Sequence, residues 1–355
     1  MKLVLIKKYN LAVNQILKTL ILLLAFAFVG CSNNKNDVVI NDPEQYDLVK
    51  DIIWASPEGF DLTLDIYSPK SEEKLPVLII YHGGGWLIND KSIMDQMSQY
   101  IATNSKYVVC NVNYRLLSDK ENSISLHEIV EDAFGALLWV NENIHKYNGD
   151  NSKIAVTGDS AGAHLAAMIV NLGEEITDEG DFSETLLFKP TYMPKDNTLE
   201  EIKSAMAVQA SILSYGAFDI YNAAIFGMES SSNPFWYFSG SSPRGVFGDE
   251  YTHLTHPDMY KKVSPIFHIP SADKKSLPPQ YLIVGSEDAL TTPELVSTYQ
   301  DKLLENNQPA DLWIYDGKGH AFLDSGTNFF LGNRFDRDAP KALDQIIGFL
   351  DEVFE

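Results

Sequence analysis

Cysteine is nearly missing from this 355-residue chain, which has only Cys31 and Cys110. Cys31 follows an apolar leader, and Cys110 sits in the apolar run Tyr107-Val108-Val109-Cys110-Asn111-Val112. No intramolecular disulfide is expected, so the fold must stand on its core, and Cys110 reads as a small buried hydrophobe. Positive charge is also scarce: 27 Lys and Arg face 49 Asp and Glu, for a formal net charge of −22. That balance argues against nucleic-acid binding, because neutralising phosphates needs a basic face. Metal-ligand spacing is lacking. His253 and His256 have no accompanying Cys or carboxylate pattern, and His127-Glu128 is followed at the decisive position by Glu131 rather than His. No metal and no organic cofactor are expected. The glycine run 83–85 is not followed by Gly-Lys-Ser/Thr, so it does not read as a phosphate loop.

What is present suits a folded α/β protein. The hydrophobic content is 45%, ample for a core, and the length fits one large domain or two small ones. Lys2, Lys7, Lys8 and Lys18 precede an apolar run at 20–29 that is too short for a comfortable transmembrane helix. The run ends at Val29-Gly30-Cys31-Ser32. This resembles a bacterial lipoprotein signal, with Phe28 where Leu is usual. The resemblance implies a signal peptide over 1–31, acylation of Cys31 and attachment to a membrane through it. A plain secretory signal or an N-terminal anchor is the alternative. The implied location is the bacterial cell envelope, periplasmic or at the surface, or outside the cell. Residues 32–46 are polar and read as a tether, leaving 47–355 as the folded domain.

The chain is organised around residues 154–164. Ile154-Ala155-Val156 lead into Gly158-Asp159-Ser160-Ala161-Gly162, and Leu165, Ala166, Ala167 and Met168 follow. The pattern predicts a strand, a very tight turn and a helix, with Ser160 at the apex. Gly-x-Ser-x-Gly in that context is the nucleophile elbow. Glycines at 158 and 162 remove side chains that would strike the neighbouring strand and helix. An ordinary strand–helix turn is the bland alternative, so a base, an acid and an anion-stabilising loop have to be found elsewhere in the chain.

Upstream, residues 48–55 and 60–67 predict an antiparallel hairpin with one solvated face, joined through Pro57-Glu58-Gly59. Residues 77–81 form a continuous apolar strand that runs into His82-Gly83-Gly84-Gly85-Trp86. Glycines after a buried strand let main-chain N–H groups approach a reacting atom. His82 is expected to order that loop rather than to move protons. Residues 107–112 are a strand, followed by Asn113-Tyr114-Arg115, and 127–144 carry a helical apolar stripe. Two irregular stretches read as insertions: 173–203 precedes a core strand at 206–213, and 220–263 lies between that strand and the next at 280–285. The second holds Phe226, Phe235-Trp236-Tyr237-Phe238, Phe247 and Tyr251, which either wall a substrate pocket or staple a cap to the body. Strand 280–285 ends in Ser286-Glu287-Asp288. A helix at 295–304 and a strand at 312–315 lead to Gly317-Lys318-Gly319-His320, and a helix at 339–354 ends the chain.

Together these pieces resemble the α/β-hydrolase superfamily, and within it the hormone-sensitive-lipase-like bacterial esterases, which carry His-Gly-Gly-Gly and Gly-Asp-Ser-Ala-Gly. The resemblance covers residues 62–355. It implies an α/β fold with a mostly parallel central sheet, helices on both faces and cap insertions. It assigns Ser160 as nucleophile, Asp288 rather than Glu287 as the acid and His320 as the base, in the chain order Ser, Asp, His. It places the N–H groups of Gly84, Gly85 and Ala161 in an oxyanion hole, with Gly83 a lesser candidate. The implied activity is serine-dependent hydrolysis of short-chain carboxylic esters, possible substrates being small molecules or acetylated and feruloylated carbohydrate. Ala163 and Ala321 replace glycines common in the group, and the second insertion does not match the usual N-terminal cap. A serine peptidase or amidase of the same fold, a true lipase, and a non-catalytic hydrolase-fold binding protein are the competing readings.

Overall fold

A computed structural model describes residues 45–355. The leader, Cys31 and almost all of the tether expected at 32–46 lie outside the described residues. An eight-stranded sheet organises the rest. Its strands are β1 (Tyr46–Ala55), β2 (Leu62–Pro69), β3 (Leu75–Tyr81), β4 (Val108–Val112), β5 (Gly149–Asp159), β6 (Ala210–Ser214), β7 (Gln280–Gly285) and β8 (Ala310–Tyr315). They are arranged in the order β1-β2-β4-β3-β5-β6-β7-β8. Only β1 and β2 run antiparallel to their neighbours; the pairings from β4 through β8 are all parallel. The parallel strands are rich in Val, Ile and Leu because both of their faces are covered. β4 is buried throughout, including Cys110, whose thiol burial pushes above its ordinary range.

Helices α1 (Asp95–Asn104), α2 (Leu126–Asn143), α3 (Ala161–Leu172), α8 (Pro293–Glu305) and α9 (Pro340–Phe354) flank the sheet. α1 packs with α9, and α2 packs with α3. Helix α2 starts at a capping box, in which Glu128 Oε2 accepts the Ser125 N–H at 2.8 Å. Its buried face includes the expected Ile129, Val130, Ala133, Leu137, Leu138 and Val140. Every residue of α3 is buried, since β3, β5, β6, α2 and residues 265–267 pack against it.

The structure revises two expectations. The hairpin does not have one solvated face along both strands: β1 is largely exposed but β2 is largely buried. Asp65 in β2 is buried because Lys91 Nζ pairs with it at 2.8 Å and the Asp51 N–H donates to it at 2.8 Å. The strand expected at 206–213 begins at Ala210. Residues 199–205 instead form helix α4 (Leu199–Ala205), and the Met206 N–H closes it.

The first insertion lies on α2, where Glu131 accepts the Lys189 N–H through its carboxylate at 2.9 Å and the Thr191 N–H through its carbonyl at 3.0 Å. The second carries α5 (Ile220–Ile225), α6 (Pro234–Ser239) and α7 (Pro257–Lys262). Phe182 of the first stacks on His127 of α2 at 4.7 Å and on Phe247 of the second at 5.9 Å, tying the two together.

Candidate active site

The turn between β5 and α3 confirms the local geometry that the glycines demand. Ser160 adopts φ 51° and ψ −113°, a conformation that costs a non-glycine residue free energy and persists only when its surroundings impose it. A Cβ on Gly158 would collide with the main chain of Gly162, and one on Gly162 would lie inside the Tyr81 carbonyl of β3. The Ser160 N–H donates to the Ser214 carbonyl at 2.9 Å, pinning the apex to β6.

The other two residues arrive from the ends of β7 and β8. A Cβ on Gly285 would strike the carbonyls of Lys318 and Gly319, so this glycine lets the β8 loop close on β7. The Glu287 N–H then donates to the Lys318 carbonyl at 2.8 Å. His320 Nε2 lies 3.0 Å from Ser160 Oγ, and Nδ1 lies 2.7 Å from Asp288 Oδ2. Asp288 is buried, while Glu287 points into solvent. The second oxygen of Asp288 accepts the N–H groups of Leu290 at 2.8 Å and Thr291 at 3.0 Å, which fixes the carboxylate plane. An imidazole held between a hydroxyl and a buried carboxylate can accept the hydroxyl proton as the oxygen attacks an electrophile.

The glycine loop after β3 lies beside this line. Gly84, Gly85 and Trp86 all have positive φ, at 119°, 62° and 60°. The Gly84 carbonyl accepts the N–H groups of Leu87 and Ile88, each at 3.1 Å, which closes the turn. The Asp159 carboxylate packs against this loop, its Oδ2 where a Cβ on Gly83 would sit. Phe235 packs its ring against Gly85, so α6 roofs this loop.

His82 is buried, donates its Nδ1–H to the Gly83 carbonyl at 2.8 Å, and stacks on Tyr114 at 4.3 Å. The Tyr114 hydroxyl donates to the His82 carbonyl at 2.5 Å. Burial holds the His82 imidazole down at about 4, so it stays neutral and orders the loop. Burial does the same to His164, which meets Trp86 edge-on at 5.2 Å and hydrogen-bonds the Val263 carbonyl at 2.7 Å.

The aromatics of the second insertion divide. Trp236 and Phe247 are buried staples, Phe235 covers the glycine loop, and Phe226, Tyr237 and Phe238 face solvent. His253 lies 3.7 Å from Glu229, and His256 meets Tyr251 edge-on. Among the described residues there is no group of three potential metal ligands.

Sequence reasoning missed four residues that hold the site: Asp159, Tyr215, Thr291 and Asn333. Thr291 was findable, since a threonine three residues after the acid suits a turn closed by side-chain hydrogen bonds. Asn333 had no local signal, because it reaches the site from a two-stranded hairpin (β9, Thr327–Asn328, and β10, Asn333–Arg334).

The BD-FAE family model matches residues 64–306. Carboxylesterase NlhH of Mycobacterium tuberculosis is 34% identical over 110 residues, 31% of this chain and 33% of that one. Isoprenylcysteine alpha-carbonyl methylesterase ICME of Arabidopsis thaliana is 27% identical over 266 residues, 73% of this chain and 54% of that one. The chain thus spans about a third to a half of the length of these curated relatives. The apo form of Thermogutta terrifontis esterase 2 has a TM-score of 0.61 at 21% identity, covering 87% of this chain and 95% of that chain. At that identity the likeness is one of fold.

Proposed function

The chain belongs to the BD-FAE family and has the α/β-hydrolase fold, and from that premise we propose that it is a serine-dependent carboxylic ester hydrolase. One observation carries the proposal: His320 spans from Ser160 Oγ at 3.0 Å to Asp288 Oδ2 at 2.7 Å at the apex of a strained turn.

In the proposed reaction, Ser160 Oγ attacks the ester carbonyl while His320 Nε2 takes its proton. Asp288 keeps the Nδ1 proton in place and stabilises the imidazolium. The N–H groups of Gly84, Gly85 and Ala161 receive the tetrahedral oxyanion. The packing of the Asp159 carboxylate against Gly83 supports leaving Gly83 out of that set. Donors aimed at charge that exists only in the transition state contribute roughly 3 kcal/mol each. His320 then protonates the departing alkoxide, which leaves an acyl-serine. It next takes a proton from water, and hydroxide addition and collapse release the acid and restore Ser160.

The substrates we favour are short-chain esters, including acetyl or feruloyl esters of carbohydrate. Phe235 roofing the Gly85 side supports a compact acyl group over a long alkyl chain. The leader pattern supports placement at the cell envelope through lipidated Cys31.

The experiment is a chain-length series on purified residues 32–355, using p-nitrophenyl acetate, butyrate, octanoate and palmitate beside acetylated xylan. The expected result is activity that peaks at acetate or butyrate and falls by at least roughly 10⁴-fold in Ser160→Ala. A folded Ser160→Ala protein with near-wild-type turnover would overturn the assignment. Activity peaking at palmitate would replace the short-chain reading with a lipase one.

A further inference from the structure

We propose that Tyr215 is a positioning residue for this reaction, one side chain that holds His320 in register with the Ser160 turn and the glycine loop. The proposal rests on the ester-hydrolase reading of the site.

Tyr215 follows β6 and is completely buried, yet its φ is +40°. A bulky residue in that region is strained, so surrounding contacts must impose the conformation. Those contacts reach every part of the site. The Tyr215 N–H donates to the Ile283 carbonyl of β7 at 2.5 Å. Its carbonyl accepts the Thr291 hydroxyl at 2.7 Å, and that hydroxyl oxygen lies 3.2 Å from both Asp288 Oδ2 and His320 Nδ1. The ring meets the His320 imidazole edge-on at 4.8 Å and Phe322 at 4.8 Å. The phenol oxygen accepts the Leu323 N–H at 3.3 Å and lies within electrostatic reach of the Asp159 carboxylate. Asp159 is the residue before Ser160, and its carboxylate packs against Gly83. One tyrosine therefore joins the histidine loop, the acid's turn, the nucleophile turn and the glycine loop.

The charged and titratable groups around Asp159 are His320, Tyr215, Asp324 and Tyr114. Around His320 they are Asp288, Asp159 and Tyr215. Burial pushes Asp159 up to about 6, while His320 and the Gly83 and Tyr215 hydrogen bonds pull it down. Removing the phenol hydroxyl takes away one donor to the ionised form, so Asp159 holds a proton to higher pH. A neutral Asp159 no longer favours the imidazolium that His320 forms during catalysis. A role limited to packing would not produce that shift.

The test compares wild type, Tyr215→Phe and Asp159→Asn, with Ser160→Ala as the inactive reference. The readouts are the pH dependence of kcat/KM on p-nitrophenyl acetate and the NMR titration of the His320 ring without substrate. For Tyr215→Phe we expect kcat to fall about tenfold with KM within twofold, and the acid limb of kcat/KM to move. Asp159→Asn should move the limb in the same direction. Unchanged kcat and unchanged His320 titration in Tyr215→Phe would overturn the proposal. If that variant does not fold, an unshifted titration in Asp159→Asn overturns it instead. Wild type without ester activity would sink the esterase reading, and the substrate-free titration would still decide whether Tyr215 sets His320.

Discussion

Asn333 donates its side-chain amide to the main-chain carbonyl of His320, and both residues are buried. The loop needs this support, because Ala321, directly after His320, has a left-handed φ of 63°. Lys318, two residues before His320, is held by Asp338 at 2.6 Å. Residues 333–338 therefore grip the histidine loop on both sides. Ser325 N–H to Ile93 O at 2.8 Å and Phe335 N–H to Gly326 O at 2.9 Å anchor the hairpin in turn.

Asn333→Ala leaves a buried carbonyl without its donor, which costs about 1–3 kcal/mol. The expected outcome is a lower Tm together with kcat/KM reduced roughly 10- to 100-fold, since a small displacement of the base is amplified in the rate. Calorimetry and steady-state kinetics on the same preparation check it. A loss of Tm with wild-type kcat/KM would confine Asn333 to stability.

Asp288 and Glu287 are adjacent carboxylates that differ in environment. Asp288 is buried against His320 Nδ1, whereas Glu287 is exposed. Asp288→Asn preserves the shape but no longer selects the imidazole tautomer, so kcat should fall about 10⁴-fold. Glu287→Gln should leave kcat within twofold. The reverse pattern would transfer the acid's role to Glu287.

Glu131 gives the domain a pH dependence that does not involve the active site. Burial, assisted by Asp132 and Glu128, pushes its carboxyl up to about 8 from the ordinary glutamate value of 4.5, against the Lys189 N–H and Arg115. Between 4.5 and about 8 the folded state therefore binds more protons here than the unfolded state. The stability that this carboxyl contributes is present below that window and is lost as pH rises through it. Glu131→Gln keeps an acceptor for the Lys189 N–H and removes the titration. Its Tm relative to wild type should climb between pH 5 and pH 8.5; a constant difference would show that Glu131 does not titrate there.

Ser160, Asp288 and His320 were legible in the sequence because their signals are local. A strand-ending Gly-x-Ser-x-Gly, an acid just past a buried strand and a histidine in a glycine-rich loop each reflect a constraint within a few residues. The parallel sheet was legible for a similar reason, since strands covered on both faces read as continuous apolar runs. The buried state of Asp65 was not, because its partner Lys91 comes from another element. The start of β6 was misplaced because apolar periodicity does not separate a short helix end from a strand.

By itself, then, the sequence determined the fold class, the chain order of Ser160, Asp288 and His320, and the glycines whose absent side chains let main chains meet at Gly162 and Gly285. Tertiary structure alone decided which buried polar groups hold those residues still. Tyr215, Thr291 and Asn333 act across 29 residues between Thr291 and His320, 13 between Asn333 and His320, and 108 between Tyr215 and Leu323. A hydrogen bond between side chain and backbone over such separations leaves no periodicity or spacing to read. It exists only once the sheet has brought the ends of β5, β6, β7 and β8 together.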